Sequence, residues 1–340
     1  MKKILLASTA LVATAGVASA QDLGIALTGQ AEMGIFDGGD DNTQFFTDLD
    51  VTFTMTGESD NGISFGATID LDEATDQPDF ENPSVQGGEN MFVSFGGATL
   101  TMGDTDGAMD AAMPEMALAG GSLNDDETEH LGFDDQDGHF LINDSGLSLD
   151  GVGDGQIARF DYTYSAFTFS VSAEQLNNGD DFVIGTEEFG NTAYGIGVNY
   201  AGDFSGVAIE AGLGYQAIND AVSSVGLAAT AGLANGLSFG ATLSQSTLED
   251  DLEDVLGYGD DEITHWGIGI GYEMNAFAVG VNYGEYEFDG NTASGYGLAA
   301  SYDLGGGLSM RAGYGNSEVD DDLFDDDGFD TYSLGLQMNF

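Results

Sequence analysis

Apart from Lys2 and Lys3 at its start, this 340-residue chain sets 60 Asp and Glu against two arginines, Arg159 and Arg311. It holds three histidines, His130, His139 and His265, and no cysteine. Without sulfur, neither a thiolate metal centre nor a disulfide can form. A histidine acting as a general base needs a partner within hydrogen-bond reach, but acids are so dense here that any histidine has one nearby by chance. His130, His139 and neighbouring acids lack the spacing of a zinc site. Gly212-x-Gly214-x-x-Ala217 matches a dinucleotide fingerprint in letters only, because it lies inside an alternating stretch with no helix after it. The Asp-rich stretches 134–138 and 325–328 resemble calcium loops. Counting back from Gly138 or Gly328, however, places Phe133 or Leu323 where the first ligand should stand, so neither is an EF-hand. Ca²⁺ held or bridged by such loops stays open beside the plainer reading of a solvated acidic surface suited to a saline habitat. Two arginines cannot neutralise a phosphate backbone, which excludes nucleic acid as a partner. The chain is therefore read as non-enzymatic and without a cofactor, and what its charges can do is act on ions through a strong negative field.

The elements that must carry these charges read with a period of two. Residues 1–20 are set aside first. Lys2 and Lys3 precede an apolar run over 4–17 and the small-x-small sequence Ala18-Ser19-Ala20, the pattern of a cleaved export signal. Residues 21–340 then form the mature domain, with no run of eighteen apolar residues to make a membrane-spanning helix. From Leu23 the odd positions (Ile25, Leu27, Gly29, Ala31, Met33, Ile35) alternate with Gly24, Ala26, Thr28, Gln30 and Glu32. The same alternation recurs to the last residue, where Tyr332, Leu334, Leu336, Met338 and Phe340 share one face. Many runs reach nine residues or more, enough to cross a bilayer on a tilt; strands of a soluble sandwich average five or six.

The connections also alternate. Those at 58–62, 96–98, 165–166, 201–206, 233–236, 274–276 and 303–307 are short. Those at 37–44, 73–89, 103–154, 177–190, 246–261 and 317–328 are longer and acidic, holding 40 of the 60 acids, and two more on that side, near 218–221 and 289–291, are brief. Counting the runs between them gives sixteen antiparallel strands, and short turns on one side with long loops on the other describe an all-β outer-membrane barrel. The alternating apolar faces carry no charge, as contact with hydrocarbon requires, since a midplane charge there would cost roughly 2–4 kcal/mol. Tyr200, Tyr215, Tyr272, Tyr302 and Tyr332 fall near strand ends, where interfacial girdles form. His265 falls on the inward phase beside Trp266.

With the export pattern, the alternation, the terminal Phe340 and the segment Met102-Gly103-Asp104-Thr105-Asp106-Gly107-Ala108, the chain resembles the general porins of Rhodobacter-type alphaproteobacteria over its whole length. Gly120-Gly121-Ser122, the acidic 125–130 and Ile157-Ala158-Arg159-Phe160-Asp161-Tyr162 extend the likeness. It implies a sixteen-stranded transmembrane barrel whose long third loop, here about 103–154, folds into the lumen and sets the narrowest point. It also implies a homotrimer in the outer membrane of a Gram-negative cell, among lipid and lipopolysaccharide, passing ions and small hydrophilic solutes by passive diffusion. Such porins usually oppose a cluster of basic wall residues to acids on the loop. Here only Arg159 and Arg311 are available, so the lumen is expected to be negative and the water-filled channel cation-selective. The constriction residues expected are Asp104, Asp106, Asp110 and Glu115 on the loop, with Arg159 and Arg311 on the wall. Residues 111–116 are expected to form a short helical piece with its methionines packed on the wall. The alternative is an acidic surface barrel with an adhesive or structural role, which would have a plugged lumen or an added soluble domain.

Overall fold

A computed structural model describes residues 24–39, 43–72, 86–123, 128–133, 149–151, 156–176, 182–184, 187–250, 252, 262–288, 290–320 and 328–340. The expectations placed on the export signal, His139, the stretches 134–138 and 325–327, and most of 73–89 lie outside these residues.

The alternating runs form strands β1 (Gly24–Asp37), β2 (Gln44–Glu58), β3 (Ser64–Asp72), β4 (Gln86–Phe95), β5 (Ala98–Gly103), β6 (Ile157–Tyr164) and β7 (Phe167–Gln175). Two short strands follow, β8 (Phe182–Ile184) and β9 (Glu187–Phe189). They pair only with each other and form a small hairpin within the loop read at 177–190. The remaining strands are β10 (Thr192–Phe204), β11 (Val207–Ile218), β12 (Val222–Leu233), β13 (Leu237–Leu248), β14 (Glu262–Met274), β15 (Phe277–Phe288), β16 (Asn291–Gly305), β17 (Leu308–Asp320) and β18 (Gly328–Asn339). Sixteen of these close into one antiparallel barrel in which each pairs with its neighbours in order, apart from the excluded hairpin. Closure joins β1 to β18, with Ala31 opposite Met338 and Ile35 opposite Leu334. The Phe340 N–H donates to Gly29 O at 2.8 Å, so the last residue continues the ladder.

Each strand presents one apolar face outward. Leu27, Phe53, Val93, Phe169, Leu213, Leu243, Ile268 and Leu334 are all exposed on the outer surface. In water such a surface would be unstable; in a bilayer, where every backbone group must be satisfied internally, the closed ladder is what permits it. The short-turn side uses primed hairpin geometry. Gly96 and Gly97, and Ser205 and Gly206, are pairs with positive φ at both positions, which matches the right-handed twist of the flanking strands. The turn expected over 201–206 is shorter than that, because β10 runs on to Phe204 and only Ser205 and Gly206 remain outside the ladder.

The inward phase differs around the circumference. On β2, β3, β5, β6 and β7 it reads Thr52, Thr54, Thr68, Thr99, Thr101, Thr163 and Thr168, with Asp50, Asp70 and Asp161 among them. From β10 onward glycine is its commonest residue, mixed with serine and alanine. Two clusters of buried apolar groups lie between wall and loop, Met109, Met113, Met116, Phe133 and Ala228 in one and Leu123 with Phe36 and Phe46 in the other, and a larger one joins Leu149, Leu176, Phe189 and Leu252 to the loop ends of β10–β13.

Candidate lumen segment and channel wall

Residues 104–123 leave β5 at Gly103, whose φ of +126° and close approach to Glu89 O admit no side chain. The Asp104 N–H bonds to that same Glu89 oxygen at 2.9 Å and turns the chain inward. On β6, Arg159 Nη1 donates to Asp106 O at 2.7 Å and to its carboxylate at 3.3 Å, while Nε donates to Asp161 Oδ2 at 3.1 Å. The Gly107 N–H donates to Asp150 Oδ2 at 2.7 Å, and the Ala108 N–H to Ser172 Oγ on β7 at 2.9 Å. A 3-10 turn at Asp110–Ala112 then lies over β10 and β11, where Asn199 Nδ2 donates to Ala112 O at 2.9 Å. The helical piece read at 111–116 is therefore this shorter turn. Met113 leaves it in an extended conformation ahead of Pro114, as the residue before a proline must.

Met109, Met113 and Met116 are buried against the wall at Gly214, Gly226 and Gly240. Farther round, Arg311 Nη1 on β17 donates to Ser122 O at 3.3 Å and stands 3.8 Å from Glu32 Oε1. The Leu123 N–H donates to Ser333 Oγ on β18.

Residues 128–133 follow the wall of β14–β18. Thr331 Oγ1 donates to Glu129 O, and the Leu131 N–H donates to Ser317 Oγ. His265 Nε2 lies 3.0 Å from Gly132 O, and Tyr286 OH donates to Phe133 O. The Gly132 N–H points at His130 Nδ1 at 3.2 Å, so the proton of the neutral ring sits on Nε2, which bonds Asn282 Oδ1 at 2.7 Å. Burial pushes the His130 pKa down to about 4; the Asn282 hydrogen bond opposes this, and His265 nearby adds to it. The returning limb is held at Asp150. Its Oδ1 accepts from Gln216 Nε2 at 2.5 Å, Gln216 Oε1 accepts the Leu149 N–H, and Glu174 accepts the Gly151 N–H.

Of the six site residues read from sequence, Asp106 and Arg159 come together where the segment leaves the wall, and Asp104 stands beside Gly88 and Asn90 of β4. Asp110 and Glu115 lie on the run seated over β10–β13, with Glu115 exposed. Arg311 stands well round the barrel, beside Glu32 and Ser122. The six do not form a single cluster. Sequence reasoning missed Asp150, Glu174, Gln216, Asn199 and the pairing of His130 with Asn282. It also missed the glycines under the segment, although their concentration on the inward phase from β10 onward was a readable signal. The fingerprint-like Gly212 and Gly214 are two of them.

The profile of the Gram-negative porin family matches residues 7–322. A porin of Rhodobacter capsulatus is 28% identical over 320 residues, spanning 87% of this chain and 95% of the relative. A porin structure refined at 1.8 Å resolution superposes with a TM-score of 0.65 at 22% identity, covering 93% of this chain and all of the other. A triple mutant of Rhodopseudomonas blastica porin gives 0.66 at 16% identity with the same coverage. These two likenesses carry the fold. The closed sixteen-strand barrel, its outward apolar band and a profile match over most of the length converge, and the chain belongs to the Gram-negative porin family, non-enzymatic outer-membrane channels for passive diffusion.

Proposed function

We propose that this porin is a cation-selective channel for small hydrophilic solutes and ions, and that segment 103–154 sets its narrowest passage. The observation that carries the reading is the state of the two arginines. Arg159 is engaged by Asp106 and Asp161, and Arg311 lies beside Glu32. Asp104 and Glu115 on the segment are exposed, and the inward phase of β2 and β3 adds Asp50 and Asp70, both partly exposed. Carboxylates along a low-dielectric passage concentrate cations and repel anions.

The test is the reversal potential across a KCl gradient. At ~0.15 M salt the screening length is roughly 8 Å and at 1 M about 3 Å, so cation preference should be strong in dilute salt and fall steeply as salt rises. Replacing Asp104, Asp106 and Asp110 with Asn should reduce it, and Arg159→Ala should raise it slightly. An anion-selective or salt-independent potential refutes the reading.

The same reading includes export by a signal at residues 1–20, assembly as a homotrimer, and contact with outer-membrane lipid and lipopolysaccharide. Support for assembly comes from the outer face. None of the 13 tyrosines nor the single Trp precedes Tyr162. Tyr194, Tyr215, Trp266, Tyr296 and Tyr332 ring the loop side of the later strands. The corresponding ends of β1, β4 and β5 show Met33, Met91 and Met102 instead. Tyr and Trp anchor a barrel at the membrane interface; a face without them suits a neighbouring subunit. Ca²⁺ on the acidic loops remains part of this proposal.

A further inference from the structure

We infer that the inward glycines of β10–β18 lying under residues 108–119 and 128–132 are positioning residues of the channel: they form a seat that fixes how far those residues stand off the wall, and so how wide the passage beside them is. This rests on the reading that the segment sets the narrowest point. A Cβ built on Gly212 would fall 1.8 Å from Ala112 O, and one on Gly197 2.0 Å from Ala108 O. On Gly269 it would fall 2.5 Å from Met116 O, and on Gly284 and Gly315 1.9 Å from Gly132 O and Glu129 O. Every one of these partners is a backbone oxygen of the segment, so no rotamer change relieves the contact. Ordinary contact begins near 3.4 Å. One added methyl at Gly212 therefore moves the segment inward by about 1.5 Å, because a close-packed contact transmits the displacement.

Two features separate this from a general tolerance for glycine. None of these five positions has a left-handed φ, so alanine meets no backbone strain there; at Gly197, Gly212 and Gly269 the nearest atoms all belong to the segment, while Gly284 and Gly315 also face His265 and Thr331 of the wall. The glycine bias also follows the segment, since the inward phase of β2, β3 and β5–β7 is rich in threonine instead. Gly232 lies on the inward phase of β12 away from the segment, and a Cβ there meets only Ala208 Cβ at 3.8 Å.

The experiment compares Gly212→Ala, Gly197→Ala and Gly232→Ala in the full chain and in a chain lacking residues 107–121. Single-channel conductance in planar bilayers and sugar permeation in liposome swelling are the readouts, with folded yield followed by heat-dependent gel mobility. In the full chain Gly212→Ala and Gly197→Ala should lower conductance on the order of 1.2- to 2-fold, as a ~1.5 Å advance of a packed segment requires. Disaccharide entry should fall more than monosaccharide entry, and Gly232→Ala should change neither. In the deleted chain all three should match their parent. If Gly212→Ala folds poorly in the full chain, recovery of folded yield on deletion reports the same seat. Unchanged conductance in the full chain, equal loss in both backgrounds, or misfolding in both overturns the inference. A deletion that itself leaves conductance unchanged overturns instead the reading on which the inference rests.

Discussion

Asp150 is where the structure makes its most quantitative demand. Its carboxylate is buried, 8% exposed, and joins three pieces of chain: the outgoing limb through the Gly107 N–H, the returning limb through its own backbone, and β11 through Gln216. Hydrogen bonds to a charged group contribute about 1.5–3 kcal/mol each, so Asp150→Ala removes roughly 3–6 kcal/mol from the seated segment and leaves two buried donors unmet. None of this belongs to the barrel ladder, so the strands should close as before. Even 3 kcal/mol shifts the ratio of released to seated segment by about 150-fold at 1.4 kcal/mol per decade. The expected result is a folded barrel whose single-channel current fluctuates and whose residues 104–123 are cut by protease. Asp150→Asn should lie between, because an amide still accepts from Gly107 but turns its NH2 toward that of Gln216, which the Leu149 N–H holds in place. Gln216→Met tests the coupling: in the Asp150→Ala background it should add little. A quiet current and an unchanged cleavage pattern in Asp150→Ala would refute the view that this carboxylate pins the loop.

Acid should release the other limb. His130 is held neutral, down to about 4 against an ordinary 6.5, so the released segment binds the extra proton between those values and seating weakens as pH falls through the window, by roughly 3 kcal/mol in all. Among the described residues, its ring bonds Asn282, meets Phe133 edge-on and Gly295, and lies near His265, and a proton on Nδ1 would face the Gly132 N–H. Channel noise in wild type should therefore rise from pH 6.5 to 4, whereas His130→Gln should be noisier at pH 7 and flat over that range; equal pH profiles would count against it. Assembly is checked by light scattering of the detergent-solubilised protein, where a mass of three barrels is expected and a mass of one refutes the trimer.

How much of this was legible beforehand depended on whether the signal was local. Strand alternation is a property of adjacent residues, and because one face meets hydrocarbon, a slip by one residue would expose the wrong set; the register is therefore strongly written into runs such as Leu49, Val51, Phe53 and Met55. The inward placement of Arg159, Arg311 and His265 followed from parity alone. The β8–β9 hairpin did not, since three-residue strands are too short for a period to show. The pins of the segment were illegible for a different reason. Asp150 with Gln216, or His130 with Asn282, joins residues 66 and 152 positions apart, and such pairs become neighbours only after the barrel closes.

The cost of glycine on the inner wall has a balance in the segment the strands hold. Glycine inside a strand is destabilising by roughly 0.5–1 kcal/mol relative to alanine. Nine inward glycines meet residues 108–119, a cost of about 5–9 kcal/mol. The same seat buries Met109, Met113 and Met116, at about 1.5–3 kcal/mol each, or roughly 5–9 kcal/mol. The two nearly cancel, so a flat wall and a packed segment are stable together, and neither is favoured without the other. A larger wall residue would gain strand propensity and lose the methionine pockets. The first sector of the barrel is under no such constraint, and there the inward phase is free to carry threonine hydroxyls and carboxylates. The division of the wall into a glycine seat and a polar remainder is thus one energetic choice: the segment needs a bed without side chains, and the rest of the wall can keep them.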